Sequence, residues 1–396
     1  MKIKPPKSIH LSNILPREPL LLMGAGPVPI AHEVARANGV IINHLGGTMV
    51  KVIERVKLMA GYVFQTKSSH IFGISGPASA AMEMGVSSVL EPGKKALILE
   101  MGTFGARFGE IAKGVGADIM VLTNELKPFE LDQVKEILEK EHFDVLTIVQ
   151  GETSCGIHNI HLEEITKYAS SKGVIVIVDA VCTLTTLPFY MDAWSIDISI
   201  TGGQKGLSSI PGVSLIAYSD RAWEVVEKRS TRNPHWCLDP RRADKFWNGH
   251  SYHYTAPVPG ILAIHEALRL ICDETLEKRF TRHLNSSKAL QKGLEVMGLE
   301  LLIPEEFRLN SVVAIKVPEN IDSAPVLSYM RENYHVEISG AFGLNIVRIG
   351  QMGEQCRDQN LLKAFLATGM SFKKFGANLN VTKGMTFLED YLVQHL

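Results

Sequence analysis

The chain has 396 residues, 45% hydrophobic and 21% charged, with 41 basic and 42 acidic side chains that nearly cancel. That is the composition of a globular enzyme with a large core, and a net charge of -1 recommends neither nucleic acid nor an anionic membrane as a partner. The basic cluster Arg241-Arg242-Ala243-Asp244-Lys245 is broken by an acid and reads as a solvated or interface loop.

In chain order, Ala96-Leu97-Ile98-Leu99 is an apolar run with strand character, and Leu131, Val134, Ile137 and Leu138 mark one face of an amphipathic helix. Val145-Leu146-Thr147-Ile148-Val149 predicts a second strand. Leu162, Ile165, Tyr168 and Ala169 then mark a helix that stops at Gly173. Two further strands follow, Val174-Ile175-Val176-Ile177-Val178 and Ile196-Asp197-Ile198-Ser199-Ile200. The first three strands lack polar alternation, as parallel strands covered on both faces do. The fold class is therefore α/β, a large domain built on a mainly parallel sheet with helical crossovers.

Pro257-Val258-Pro259 suits a helix start, and Ile261, Ile264, Leu268 and Ile271 predict a long helix running towards a second domain. The pattern then changes to a strand over Ser311–Val317, a helix near 323–333, the short strand Ile346-Val347-Arg348-Ile349 and helices to the end, which reads as a smaller α+β domain. The expected division is an N-terminal segment over 1–20, a large domain over 21–274 and a small domain over 275–396. No repeat or low-complexity tract interrupts it.

Five cysteines, Cys155, Cys182, Cys237, Cys272 and Cys356, are odd in number and never form a C-x-x-C pair, which argues against a disulfide framework and a zinc site. The 14 histidines form no H-x-x-x-H or H-E-x-x-H arrangement, so no metal is expected. The basic start Met1-Lys2-Ile3-Lys4-Pro5-Pro6-Lys7 is followed by no apolar leader core, and no apolar run reaches the roughly 20 residues of a membrane span. A cytoplasmic protein without membrane partners is expected.

Chemistry concentrates at two strand ends. Val178-Asp179-Ala180-Val181 puts an acid after one buried run, and Thr201-Gly202-Gly203-Gln204-Lys205-Gly206 puts a lysine after the next. Open α/β sheets bind ligands beyond the carboxyl ends of their strands. There a lysine can form an imine with an aldehyde cofactor, and an acid can keep a pyridine nitrogen protonated. Taken singly, Asp179 could cap a helix and Lys205 could be a surface charge. Ser75-Gly76-Pro77-Ala78-Ser79 precedes a helical stretch and offers N–H groups and a hydroxyl to a phosphate; Ala78 and Ser79 are the donors, since Pro77 has no N–H.

With Gly151-Glu152-Thr153-Ser154-Cys155-Gly156 added, the sequence resembles the class V aminotransferases of the pyridoxal phosphate (PLP) fold type I, in particular alanine-glyoxylate and serine-pyruvate aminotransferases. The resemblance runs from Gly24-Ala25-Gly26-Pro27 to Val347-Arg348-Ile349-Gly350. It implies pyridoxal 5'-phosphate as cofactor, Lys205 as the imine-forming lysine and base, and Asp179 on the pyridine nitrogen. It further implies Ser154 on the phenolic oxygen, Phe104 and Val181 on the two ring faces, and Pro77, Ala78, Ser79 and Gln204 at the phosphate. Tyr252 and Thr255, in Tyr252-His253-Tyr254-Thr255-Ala256-Pro257-Val258, would reach the phosphate of a neighbouring subunit, making the active unit a homodimer. Arg348 would hold the substrate's α-carboxylate, with Gly26 also at the substrate.

The implied reaction moves an amino group from a small amino acid to a 2-oxo acid such as glyoxylate or pyruvate by a ping-pong mechanism. Departures from the family pattern lie at Gly46-Gly47-Thr48-Met49, at Ala78-Ser79 in place of a glycine-histidine pair, at Gln150 and Cys155, and at Cys182-Thr183. These leave pyridoxamine-pyruvate and ureidoglycine-glyoxylate aminotransferases open as alternatives, beside a PLP-binding protein without turnover. A cysteine desulfurase would stack a histidine where Phe104 stands.

Overall fold

The computed structural model describes residues 3–341 and 343–395. Its centre is a seven-stranded sheet of Ile71–Ser75 (β1), Lys95–Glu100 (β2), Asp118–Thr123 (β3), Val145–Val149 (β4), Ile175–Asp179 (β5), Ile198–Gly202 (β6) and Val213–Tyr218 (β7), in the spatial order β1-β7-β6-β5-β4-β2-β3. All pairings are parallel except those of β7, which runs antiparallel to both β1 and β6. Every residue of β4, β5, β6 and β7 is buried, as in strands covered on both faces, and β4 and β5 accordingly carry no polar alternation, whereas β6 buries Ser199 and Thr201.

The helices Leu131–Lys140 and Leu162–Ser171 form where the apolar stripes predict them, and Gly173 follows the second at φ +82°. Three strands of this sheet have no counterpart in the sequence reading. β3 is a half-exposed edge strand containing an acid, β7 follows a Ser-Ser-Ile-Pro-Gly loop, and β1 is interrupted by Gly73. That glycine marks a close approach: a Cβ there would sit 2.3 Å from the Trp247 ring.

The long helix predicted after Pro257 is two helices, Val258–Glu274 and Leu276–Met297, broken at Thr275 with φ +69°. The second lays Ala289, Leu290, Leu294 and Met297 into a separate core. A three-stranded antiparallel sheet, Val312–Lys316, Ile346–Gly350 and Ser339–Gly340, completes that smaller unit with the helices Ser323–Tyr334, Asp358–Lys374 and Val381–His395. The range 21–274 is not wholly large-domain in its packing. Leu21–Leu22 pairs in parallel with Val336–Glu337, and Met23 is buried in the smaller core. Among the described residues no helix is long and apolar enough to cross a membrane, and no cluster of three or more His, Cys, Asp or Glu could hold a metal.

Candidate active site

Asp179 ends β5, and β6 turns at Gly202 into the Gly203-Gln204-Lys205 loop, so two neighbouring parallel strands deliver acid and lysine to the same edge of the sheet. Both side chains line one cavity of about 400 Å³. Asp179 is 3% exposed; Oδ1 accepts from the Val181 N–H at 2.8 Å. Burial pushes its carboxyl up to about 7, with the negative charge of Glu152 adding to the rise and the cations Arg107 and Lys205 opposing it. Among the described residues no cation forms an ion pair with this carboxylate, so a protonated ring nitrogen would suit it.

Lys205 Nζ donates to the Ala25 carbonyl, and burial holds the ammonium below the ordinary lysine value, helped by the positive charge of Arg348. Gly26, at φ +102°, forms the wall beside it: a Cβ there would stand 2.7 Å from Lys205 Cδ and 2.8 Å from Nζ. Phe104, Val181 and Gln204 also line the cavity, and Gln204 Oε1 has no hydrogen-bond partner among the described residues. At the other end Pro77 precedes the helix Ala78–Val89, and Pro77, Ala78 and Ser79 are all on the wall. The Ala80 N–H is taken by the Pro77 carbonyl at 2.8 Å, while the Ala78 and Ser79 N–H groups face no intrahelical acceptor, which suits an anion.

Other assignments shift. Thr153 is on the cavity wall and Ser154 is not; the Ser154 hydroxyl donates to Glu152 Oε1 and accepts from the Thr103 N–H at 3.3 Å. Arg348, 8% exposed in the strand Ile346–Gly350, spends its guanidinium on backbone: Nη1 donates to Thr153 O at 2.6 Å and Nε to Gly340 O at 3.0 Å. It stands behind the wall that Thr153 forms. Tyr252, 61% exposed, and Thr255, also exposed, do not line this chain's own cavity.

Two residues that the sequence reading passed over belong to the site. Arg107 lines the cavity, one helical turn after Phe104. Glu152 is fully buried and gathers the N–H groups of Phe104 at 3.0 Å, Gly105 at 3.2 Å and Ser154 at 3.1 Å. Its carboxylate caps the helix Thr103–Gly114 and fixes where Phe104 stands. Glu152 could have been found from its place in the Gly151–Gly156 motif, whereas Arg107 had only its i+3 spacing from Phe104 as a signal.

The sequence profile described as Aminotransferase class-V matches residues 31–357, most of the chain. The chain belongs to the class V aminotransferases. This aminotransferase is 31% identical to the alanine–glyoxylate aminotransferase of Mus musculus over 369 residues, covering 91% of this chain and 88% of the relative. Among solved structures, it superposes on an alanine–glyoxylate aminotransferase from Nostoc sp. with a TM-score of 0.87 at 30% identity, covering 92% and 100% of the two chains. It matches the ureidoglycine-glyoxylate aminotransferase of Bacillus subtilis with a TM-score of 0.91 at 28% identity, covering 96% and 99%. The aminotransferase uses pyridoxal phosphate, and the buried Asp179, the cradled Lys205 and the helix start at Ala78 fit that group.

The loop after Lys205 is buttressed from the small unit's long helix. Arg279, 3% exposed, donates to Gly206 O at 2.9 Å, Ser208 Oγ at 3.0 Å and Thr185 Oγ1 at 3.1 Å, and pairs with Glu274 at 3.0 Å. On the other side of Lys205, a Gly26→Ala substitution adds a Cβ where the lysine lies, at a φ that costs an L side chain about 1–3 kcal/mol. This aminotransferase should then lose at least about tenfold in kcat/KM for any accepted donor, by the factor-of-ten cost of about 1.4 kcal/mol. An unchanged kcat/KM in a folded variant would show that Lys205 works from some other position.

Proposed function

We propose that the aminotransferase takes its amino group from a small amino acid of the alanine or serine type and gives it to glyoxylate or pyruvate by a ping-pong mechanism. The observation that carries this reading is the setting of Lys205: a buried amine on the wall of a 400 Å³ cavity that must hold the cofactor as well as the donor. Little room remains for a long side chain.

Pyridoxal phosphate, when bound, supplies the aldehyde carbon that takes up an amino group and the ring that draws electrons from the substrate Cα. The chain's own residues do the rest. Asp179 holds the proton on the pyridine nitrogen through its buried carboxylate. Lys205, its ammonium weakened by burial, is the base at the substrate Cα, a positioned proton transfer of the kind worth roughly 10²–10⁴ in rate. Phe104 covers the ring and keeps water off it. Arg348 would hold the α-carboxylate, the planar group a guanidinium matches, once its guanidinium exchanged the Thr153 and Gly340 carbonyls for the substrate.

A homodimer with shared sites accounts for Tyr252 and Thr255, whose side chains are exposed outside this chain's own cavity. Five free thiols support a cytoplasmic location. A second reading takes (S)-ureidoglycine as donor, favoured by the TM-score of 0.91 to the Bacillus subtilis ureidoglycine-glyoxylate enzyme.

Half-reactions test both. Loss of the cofactor's aldehyde absorbance with L-alanine or L-serine, with pyruvate or hydroxypyruvate appearing, followed by its return with glyoxylate, is the expected result. Response to (S)-ureidoglycine alone would favour the second reading, and an unchanging spectrum across all three donors and a wider amine panel would defeat both readings.

A further inference from the structure

Arg107 projects from the helix Thr103–Gly114 onto the cofactor cavity. Its guanidinium carbon lies 4.9 Å from the centroid of the Phe104 ring, and Nη1 donates to Ser79 Oγ at 2.8 Å. Among the described residues no carboxylate forms an ion pair with it. A guanidinium turned onto a cavity without a counter-anion is costly unless a ligand brings one.

The direction of the Ser79 bond matters. A guanidinium only donates, so Ser79 Oγ is the acceptor there and its own proton remains free for another partner. Ser79 is also the second residue of the helix Ala78–Val89, whose first-turn N–H groups carry partial positive charge. Three kinds of donor therefore meet at one end of the cavity: helix N–H groups, the Ser79 hydroxyl and the Arg107 fork. Arg348, the candidate for the substrate carboxylate, is held elsewhere by Thr153 and Gly340.

We propose that Arg107 binds the cofactor's phosphate and makes the site select the phosphorylated cofactor over its dephosphorylated form. Ala78 and Ser79 supply no charged side chain to the anion, and Arg107 supplies the missing positive charge from the neighbouring helix. The stacking of the same guanidinium on Phe104 ties the phosphate end to the aromatic that covers the ring.

The proposal rests on the pyridoxal phosphate reading, which binding of that cofactor by the unaltered full-length chain tests separately. Cofactor-free R107Q and R107K are titrated with pyridoxal phosphate and with pyridoxal, alongside the unaltered chain, with melting temperature as the check on folding. R107Q should weaken pyridoxal phosphate binding roughly 10- to 100-fold, the range of a lost charge-assisted contact, and leave pyridoxal within about twofold. R107K, which keeps the charge without the fork, should fall between and decides the matter if R107Q does not fold. Equal weakening of both ligands would reduce Arg107 to a support for Ser79 and Phe104. Unchanged binding of both with a raised KM for the amino donor would move Arg107 to the substrate. Either result overturns the proposal.

Discussion

Lys205→Ala is expected to lower kcat by about 10⁴, the upper end of what a positioned general base contributes, because the variant loses both the imine-forming amine and the base at Cα. No other amine lines the cavity among the described residues. Arg107, also on the cavity wall, carries a guanidinium, a group that donates hydrogen bonds and accepts none, and Cys182 on the same wall has its thiol pushed up to about 12 by burial. The cofactor should still bind, since the phosphate end and the Asp179 contact are untouched, but borohydride should no longer fix it to the protein. A small added amine such as methylamine should restore part of the rate, as expected if proton transfer is what is missing. Turnover within tenfold of the unaltered enzyme would remove Lys205 from the mechanism.

Asp179→Asn has opposite effects on the empty and the working protein. The folded-state value of Asp179 lies above the ordinary 3.8, at about 7, so between those values the folded chain holds a proton that the unfolded chain has released. Folding stability therefore falls as pH rises through this window, and the whole penalty is present above pH 7. At about 1.4 kcal/mol per tenfold, burying the charged form costs roughly 4 kcal/mol in the cofactor-free state. The asparagine variant escapes this and should melt several degrees higher than the unaltered apoprotein at pH 8, with little difference near pH 4. With cofactor bound, the same change removes the charge that keeps the pyridine nitrogen protonated, and kcat should drop by about 10² or more. Apoprotein melting temperatures that are lower for the variant at pH 8 would contradict the account of Asp179 as a carboxylate awaiting a cation.

The positions of Asp179 and Lys205 were legible because strand ends are marked in sequence: an unbroken apolar run leads directly into Asp179, and the buried Ile-Ser-Ile-Thr segment leads through Gly202 into the loop that carries Lys205. Ala78 and Ser79 were legible from the Ser75-Gly76-Pro77 turn ahead of a helical stretch, although the strand before that turn was not, and Phe104 came from the family resemblance. What escaped depended on packing between segments far apart in the chain. Glu152 looks like one polar residue in a motif, and only the fold brings the Phe104 and Gly105 amides, 48 and 47 residues away, onto its carboxylate. Arg107 occupies a helix position that would suit a solvated surface. Ser154 and Arg348 were found by their segments, yet the hydroxyl of the first turns onto Glu152 within its own loop, and the guanidinium of the second reaches the Thr153 carbonyl 195 residues away. Two of the missed strands have a local cause: an edge position leaves one half-exposed, and a glycine under Trp247 interrupts the apolar run of another.

The pairing of Leu21–Leu22 with Val336–Glu337 has a consequence for how the chain reaches its native state. The smaller core lacks Met23 and its outer strand until residues from the first part of the chain return to it, and the Ala25 N–H to Ser339 Oγ bond joins positions 314 apart. Closing so long a loop is entropically slow. During synthesis the large sheet can assemble while this stretch waits, exposed, for a partner made near the end. A fragment beginning at residue 276 would lack that strand altogether, so fusing residues 18–25 ahead of it through a flexible linker is the minimal repair for a free-standing small unit.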